Sequence, residues 1–233
     1  MLPVVILAGG LGTRVRQFGE HVPKALLDIN GEPFLGHQLR LLKRNGIGHV
    51  VLCLGHLAEQ IEQYAGDGSR FGLKLEYSFD GPALLGTAGA IRNALSKLSG
   101  PFFVLYGDSY LTCDFAAVQH TFLSSGKNAL MTVLKNEGRW DKSNVEFSGG
   151  RILTYDKQSN SPALKHIDYG LGLFKPDIFQ ALAPGEKVDL ASVYQEQLKR
   201  GELAAFEVAE RFYEIGSPQG LHELRDYLKR GAL

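Results

Sequence analysis

Cysteine is nearly absent from this chain: Cys53 and Cys113 are the only two among 233 residues, and they form no CxxC pair. A disulfide framework or a structural zinc site needs more thiols, so both read as reduced thiols of a cytosolic protein. An excess of either charge is missing too. Lys and Arg number 25, Asp and Glu number 25, and the net charge is +0. With no whole-molecule field to attract nucleic acid or an anionic membrane, any anion must be captured by a local site. Long apolar runs are also lacking, and none approaches the roughly 18 residues of a membrane helix. The apolar start at 1–8 has neither the basic leader nor the length of a secretion signal. The expectation is a cytoplasmic protein with no nucleic-acid and no membrane partner.

Several catalytic signatures are missing as well. The seven histidines make no HxH or HExxH spacing, which argues against a zinc site. Ser109 has no GxSxG elbow around it, and the Walker pattern GxxxxGK[ST] does not occur. These gaps disfavour a serine hydrolase and an ordinary P-loop ATPase.

What remains is a normal globular composition, 44% hydrophobic and 21% charged. Short apolar runs at 3–8, 50–54 and 102–106 stop at glycine or polar residues, as strands buried on both faces do. Between them, 34–45 and 87–98 carry apolar stripes at helical spacing, and further helices are expected at 57–64 and 115–124. Strands at 73–77 and 129–134 complete an alternation that argues for a parallel, doubly wound sheet. After Lys135 the texture changes to short strands at 145–147, 151–155 and 168–174, then a helix at 190–200, a strand at 204–208 and a helix at 218–229. The expected fold class is α/β: a Rossmann-like, mostly parallel twisted sheet with helices on both faces and a mixed C-terminal part. With no repeats and no linker, one domain over 1–233 is the simplest organisation.

The strongest local signal is LAGGLGTR at 7–14, directly after the first strand. Glycines let backbone approach a polyphosphate and aim successive N–H groups at its oxygens. A dinucleotide loop GxGxxG would need a third glycine where Val15 stands, and a helix directly afterwards, where Gly19 and Pro23 intervene. Asp28 lies at a tempting distance for a ribose but lacks that helix. A tight strand-to-loop turn is the remaining alternative. Arg14 and the Pro23-Lys24 pair favour a triphosphate site, because two cations join the backbone donors there.

The runs LAGGLGTR and VPKALLDING at 22–31 resemble the amino-terminal signature of the sugar-1-phosphate nucleotidylyltransferases, which make NDP-sugars. The resemblance covers nearly the whole chain and is strongest over the first 110 residues. It implies an enzyme with catalytic Arg14 and Lys24, the lysine neutralising the departing pyrophosphate. Leu7, Ala8, Gly9, Gly10, Gly12 and Thr13 would hold the nucleotide, with Asp80, Gly86 and Thr87 around its base. LGTAGA at 85–90 also reads as a plain helix start with Thr87 near the cap. Asp108, closing Tyr-Gly-Asp at 106–108, matches the family's metal-binding GD pair and would hold Mg²⁺ and the sugar phosphate; its local alternative is a turn cap. EIGSP at 214–218 resembles the D-[IV]-G-T-P segment, so Glu214 would be the second metal ligand; an exposed glutamate is the alternative.

On the sugar side, Asp156 and Lys157 resemble the family's E-K pair, and Asp168, Tyr169 and Gly170 resemble its N-A-G segment. Asn144 would border the same pocket; Trp140 reads equally as pocket, core or lid aromatic. The substitutions at Asp156, Asp168 and Tyr169 all fall on this pocket, so the sugar does not carry over. About 1–110 would be the nucleotide-binding half and about 111–233 the sugar-phosphate-binding half. The implied partners are a nucleoside triphosphate and a sugar 1-phosphate, and the implied cofactor is Mg²⁺. The LGTAGA segment looks most like guanylyltransferases acting on heptose or mannose 1-phosphate; the alternatives are a UTP-, dTTP- or CTP-dependent enzyme on another sugar or a non-sugar phosphate, and a catalytically silent regulatory homologue that binds a nucleotide sugar.

Overall fold

The computed structural model describes residues 1–10, 22–136 and 138–231. Gly12, Thr13 and Arg14 lie outside the described residues. The first strand, β1 (Val4–Leu7), is followed by the short hairpin β2 (Asp28–Ile29) and β3 (Glu32–Pro33), then α1 (Phe34–Arg44), β4 (His49–Leu54) and α2 (Ala58–Ala65). Next come β5 (Lys74–Phe79), α3 (Gly86–Ala94), β6 (Phe102–Tyr106), β7 (Ser109–Leu111), α4 (Phe115–Ser125) and β8 (Ala129–Lys135). The later part holds β9 (Val145–Ser148), β10 (Arg151–Tyr155), β11 (His166–Phe174) and α5 (Asp177–Gln180). It ends with α6 (Leu190–Lys199), β12 (Leu203–Val208), β13 (Phe212–Glu214) and α7 (Pro218–Lys229).

One nine-stranded sheet runs through the molecule in the order β5-β4-β1-β6-β11-β8-β12, with β9 and β10 attached beside β11. Strands β5, β4, β1 and β6 are parallel; β11 runs against both β6 and β8, and β12 is parallel to β8. Only β11 therefore opposes the shared direction along the main row. The doubly wound α/β expectation holds, and the mixed part begins where β11 inserts between β6 and β8.

Alternation along β1 shows why the sheet is covered twice. Val4 and Ile6 pack with Leu39 of α1, Ile61 of α2 and Phe115 of α4 on one face. Val5, one residue out of phase, packs with Ile91 of α3 and Val193 of α6 on the other. Each fully buried aliphatic side chain of this kind is worth roughly 1.5–3 kcal/mol of burial. A third, smaller cluster, including Ile29, Phe34, Tyr110 and Leu224, fastens α7 to the outer side of α1.

Helix ends follow local chemistry. Asp114 caps α4 by accepting from Ala116 N at 2.8 Å, Asp189 caps α6 through Ala191 N at 2.7 Å, and Ser217 caps α7 through Gly220 N at 2.9 Å. The helix expected over 87–98 stops at Ala94 and tightens into a 3-10 turn at Leu95–Lys97. The pairs β2–β3 and β7–β13 have no counterpart in the sequence reading, since two- and three-residue strands carry too little alternation to register. Among the described residues no helix is long and apolar enough to cross a membrane.

Candidate active site

The carboxyl ends of β1, β4, β5 and β6 open onto one cavity of about 340 Å³. In open parallel sheets this is where ligands bind. Leu7 pairs in register with Cys53 on one side and Tyr106 on the other, and all three line the cavity. Ala8, Gly9 and Gly10 rise beside them from the end of β1, and Gly86 and Thr87 face in from the start of α3.

Asp80 stands just beyond β5, half-buried, its Oδ2 accepting the Leu85 N–H at 3.2 Å. Burial pushes its carboxyl above the ordinary carboxylate range, and the Leu85 N–H pulls it partly back. The Thr87 hydroxyl is committed elsewhere: it accepts the N–H of Leu190 at 2.6 Å and so ties the start of α6 to the start of α3. That bond spans 103 positions and leaves no local trace in the sequence. Neither cysteine is a nucleophile here. Both are buried, and burial raises the Cys53 thiol and pushes that of Cys113 up to about 12.

A second cavity, of about 500 Å³, lies beside the first. Lys24, Tyr106 and Asp108 line both. Lys24 is carried on a 3-10 turn behind Pro23, and its Nζ meets Asp108 Oδ2 at 2.7 Å. The Asp108 side chain is 41% exposed and the Lys24 side chain 19%, so the pair forms part of the wall common to the two spaces.

Glu214 approaches the same spot from β13. Ser217 Oγ donates to its Oε1 at 2.5 Å and Gly216 N donates to its Oε2. The register of β13 against β7 sets Glu214 opposite Ser109, next to Asp108. Gly216 is the point of convergence. A Cβ there would sit 2.6 Å from Glu214 Oε2, 2.9 Å from Lys24 Nζ and 3.8 Å from Asp108 Oδ2. Only a residue without a side chain lets all three groups crowd that point.

The far wall is made by an irregularity in β11. Asp168 pairs with Val133 but Gly172 pairs with Met131, so β11 carries extra residues across Tyr169-Gly170-Leu171. Gly170 takes up the turn at φ +96°, in the left-handed region that favours glycine. Asp168 and Gly170 line the cavity, with the Asp168 carboxylate accepting from Gly170 N at 3.1 Å and from the Tyr155 hydroxyl at 3.1 Å. Burial raises the Asp168 carboxyl, against the pull of Lys157 and these donors. Tyr169 borders the cavity, but its ring is 2% exposed and meets Phe212 edge-on at 5.9 Å.

Asn144, Asp156 and Lys157 do not line either cavity. Asn144 Oδ1 holds the Asp168 N–H at 2.9 Å, and Asp156 closes a turn through Gln158 N at 2.8 Å. Lys157 lies 4.0 Å from Asp189 Oδ1, close enough to Asp168 to act on it electrostatically. The sequence reading did not single out Arg211, Phe212, Gln219 or Glu223, all of which line the second cavity together with Trp140. Their one signal was a cation beside two aromatics, Arg-Phe-Tyr, running directly into Glu214.

Comparison with known proteins matches residues 3–230 to the model of the nucleotidyl transferase family. An N-acetylmuramate alpha-1-phosphate uridylyltransferase from Neisseria meningitidis serogroup B is 30% identical, over 95% of this chain and 96% of the relative. A D-glycero-alpha-D-manno-heptose 1-phosphate guanylyltransferase from Campylobacter jejuni is 31% identical, over 94% and 96%. The crystal structure of HddC from Yersinia pseudotuberculosis complexed with GMP-PN superposes with a TM-score of 0.81 at 23% identity, over 98% of this chain and 100% of that one, a likeness of fold. With its glycine-rich strand end, shared Lys24–Asp108 wall and end-to-end match to these relatives, the chain belongs to the nucleotidyl transferase family, among the sugar-1-phosphate nucleotidylyltransferases.

Proposed function

We propose that this enzyme converts a nucleoside triphosphate and a sugar 1-phosphate into an NDP-sugar and pyrophosphate, with GTP and a heptose or mannose 1-phosphate as the favoured pair. The observation that carries the reading is the wall of Lys24, Tyr106 and Asp108 common to both cavities, which suits one substrate on each side. The phosphate oxygen of the sugar attacks the α-phosphorus, a new P–O bond forms, the α–β bridge breaks, and pyrophosphate leaves. The nucleophile is already an anion, so no general base is needed. Catalysis then consists of positioning and charge neutralisation. Arg14 and Lys24 act on the departing pyrophosphate and the backbone of Gly9 and Gly10 holds the polyphosphate; Lys157, outside both cavities, acts on the pocket only through its charge near Asp168.

The donor set fits Mg²⁺. Asp108 and Glu214 offer hard carboxylate oxygens around Gly216, and magnesium sites commonly combine one or two carboxylates with substrate phosphates. Bound there, the ion would supply positive charge to the phosphates.

Asp80 supports guanine. An ionised carboxylate only accepts hydrogen bonds, and guanine presents two adjacent N–H donors on its pairing edge. Uracil presents one, flanked by carbonyls that a carboxylate repels. A second reading, UTP as donor, rests on the Neisseria relative, whose name is that of a uridylyltransferase. Mass-spectrometric detection of NDP-sugar from GTP, UTP, dTTP and CTP against mannose, heptose, glucose and N-acetylhexosamine 1-phosphates tests both. GDP-sugar as main product supports the first reading. UDP-sugar favours the second, and no product from any pair refutes the transferase assignment.

A further inference from the structure

Arg211 is built into the second cavity in a way that phosphate transfer at Asp108 leaves unused. Its guanidinium carbon lies 4.9 Å from the ring centroid of Tyr213 and 5.6 Å from that of Trp140. Its Nη2 pairs with Glu223, which is itself held by Gln219 Nε2 at 3.0 Å. Its backbone carbonyl accepts the Thr112 hydroxyl at 3.0 Å. Aromatic contacts, an ion pair and a tethered backbone thus hold a planar fork in one orientation. Preorganisation of this kind suits bidentate reading of an oxyanion.

The fork is not saturated. Arg211 Nε is buried and has no hydrogen-bond partner among the described residues, a costly state for a guanidinium N–H. Arg211 lines the second cavity and not the first, so a ligand it meets lies on the side away from the nucleotide loop. Trp140 and Phe212, which meet edge-on at 6.2 Å, line the same space and give apolar surface for a sugar ring.

We propose that Arg211, backed by Trp140 and Glu223, is an oxyanion-reading subsite for the acceptor substrate. The group it reads is the sugar's own phosphate or a carboxylate carried on the ring. Assigning that ligand to the acceptor rests on the transferase reading above; the subsite itself does not.

Trp140 is the only tryptophan in the chain, so its emission reports on this cavity without any need for turnover. Mannose 1-phosphate, N-acetylmuramate 1-phosphate and N-acetylmuramate would be titrated into the wild type and Arg211→Lys, which keeps the charge and loses the fork. The expected result is a saturable emission change in the wild type. In Arg211→Lys the acceptor Kd rises about tenfold or more, the scale of one charged hydrogen bond, while GTP affinity stays within about twofold. Loss for both phosphates alike identifies the phosphate as the group read. Loss confined to the two N-acetylmuramate compounds identifies the carboxylate. Should Arg211→Lys melt well below the wild type, Glu223→Gln, which loosens the same fork, is expected to weaken acceptor binding several-fold by calorimetry with GTP binding unchanged. Unaltered acceptor affinity in the folded variant, an equal fall in GTP affinity, or no response of Trp140 to any of the three probes overturns the proposal. A wild type that binds a probe at Trp140 yet releases no pyrophosphate with any nucleotide refutes the transferase reading and leaves the subsite standing.

Discussion

Substituting Gly216 by alanine tests whether the crowding of Lys24, Asp108 and Glu214 around one point matters. The added methyl would sit 2.6 Å from Glu214 Oε2 and 2.9 Å from Lys24 Nζ, both well inside ordinary contact. Gly216 is not among the glycines at positive φ, so the backbone tolerates alanine and the conflict is one of space alone. Relief requires Glu214 or Lys24 to move by close to an ångström. The atoms met are the far ends of flexible side chains, so the methyl is accommodated at little cost in stability and Tm should stay close to wild type. A displacement of about 1 Å in a catalytic group can cost about a hundredfold in rate. Gly48→Ala is the control, because a methyl there meets nothing within 4 Å. Steady-state pyrophosphate release and thermal melts on both variants separate the effects. Turnover of Gly216→Ala within about threefold of wild type would show that the crowding at this point does not matter.

Three further outcomes follow from the same geometry. Because burial holds the Asp168 carboxyl above its ordinary value of 3.8, its proton is bound more tightly in the folded chain. The stability this contributes is complete below 3.8 and is lost as pH rises through the folded value. Asp168→Asn should therefore gain Tm relative to wild type as pH increases from about 3.8, and a constant difference across that range by calorimetric melting would contradict it. Asp80→Asn replaces an acceptor-only group in the nucleotide cavity and is expected to reduce discrimination for GTP over UTP by about 10–100-fold; competition kinetics that keep the wild-type ratio would remove Asp80 from base recognition. Chelation should abolish turnover and added Mg²⁺ restore it, with Glu214→Gln needing more metal for half-maximal rate; turnover that persists in excess chelator would remove the metal from the scheme.

Much of the first cavity was legible in the sequence, for a physical reason. Strands buried on both faces are short, apolar and sharply ended, so their carboxyl ends, and the residues just past them, are located by the pattern itself. Leu7 and Asp108 stand at such strand ends and line the cavity, whereas Asp80 was reached only through the family resemblance. The second cavity was not. Arg211 owes its place to the three-residue pairing of β13 with the sequence-distant β7 and to Glu223 of α7, and Trp140 to its contacts with Arg211 and Phe212, none of which leaves a periodic trace. Thr87 shows a different limit: a hydroxyl at the start of one helix accepts the first N–H of another 103 positions away. Tyr169 is buried while its neighbours Asp168 and Gly170 face the cavity, as strand alternation alone would give; what the sequence hides is the extra residues that β11 carries there.

In the proposed reaction, chemistry occurs at the wall that Lys24 and Asp108 share between the two cavities. Its most direct test is pyrophosphate release, with matched formation of NDP-sugar, by wild type, Lys24→Ala and Asp108→Ala under saturating substrates. Pyrophosphate and NDP-sugar are expected in equal amounts in the wild type. Both variants should lose on the order of a hundredfold or more in rate while their melting temperatures stay close to wild type. Near-wild-type release by Asp108→Ala, or pyrophosphate without NDP-sugar, would contradict it.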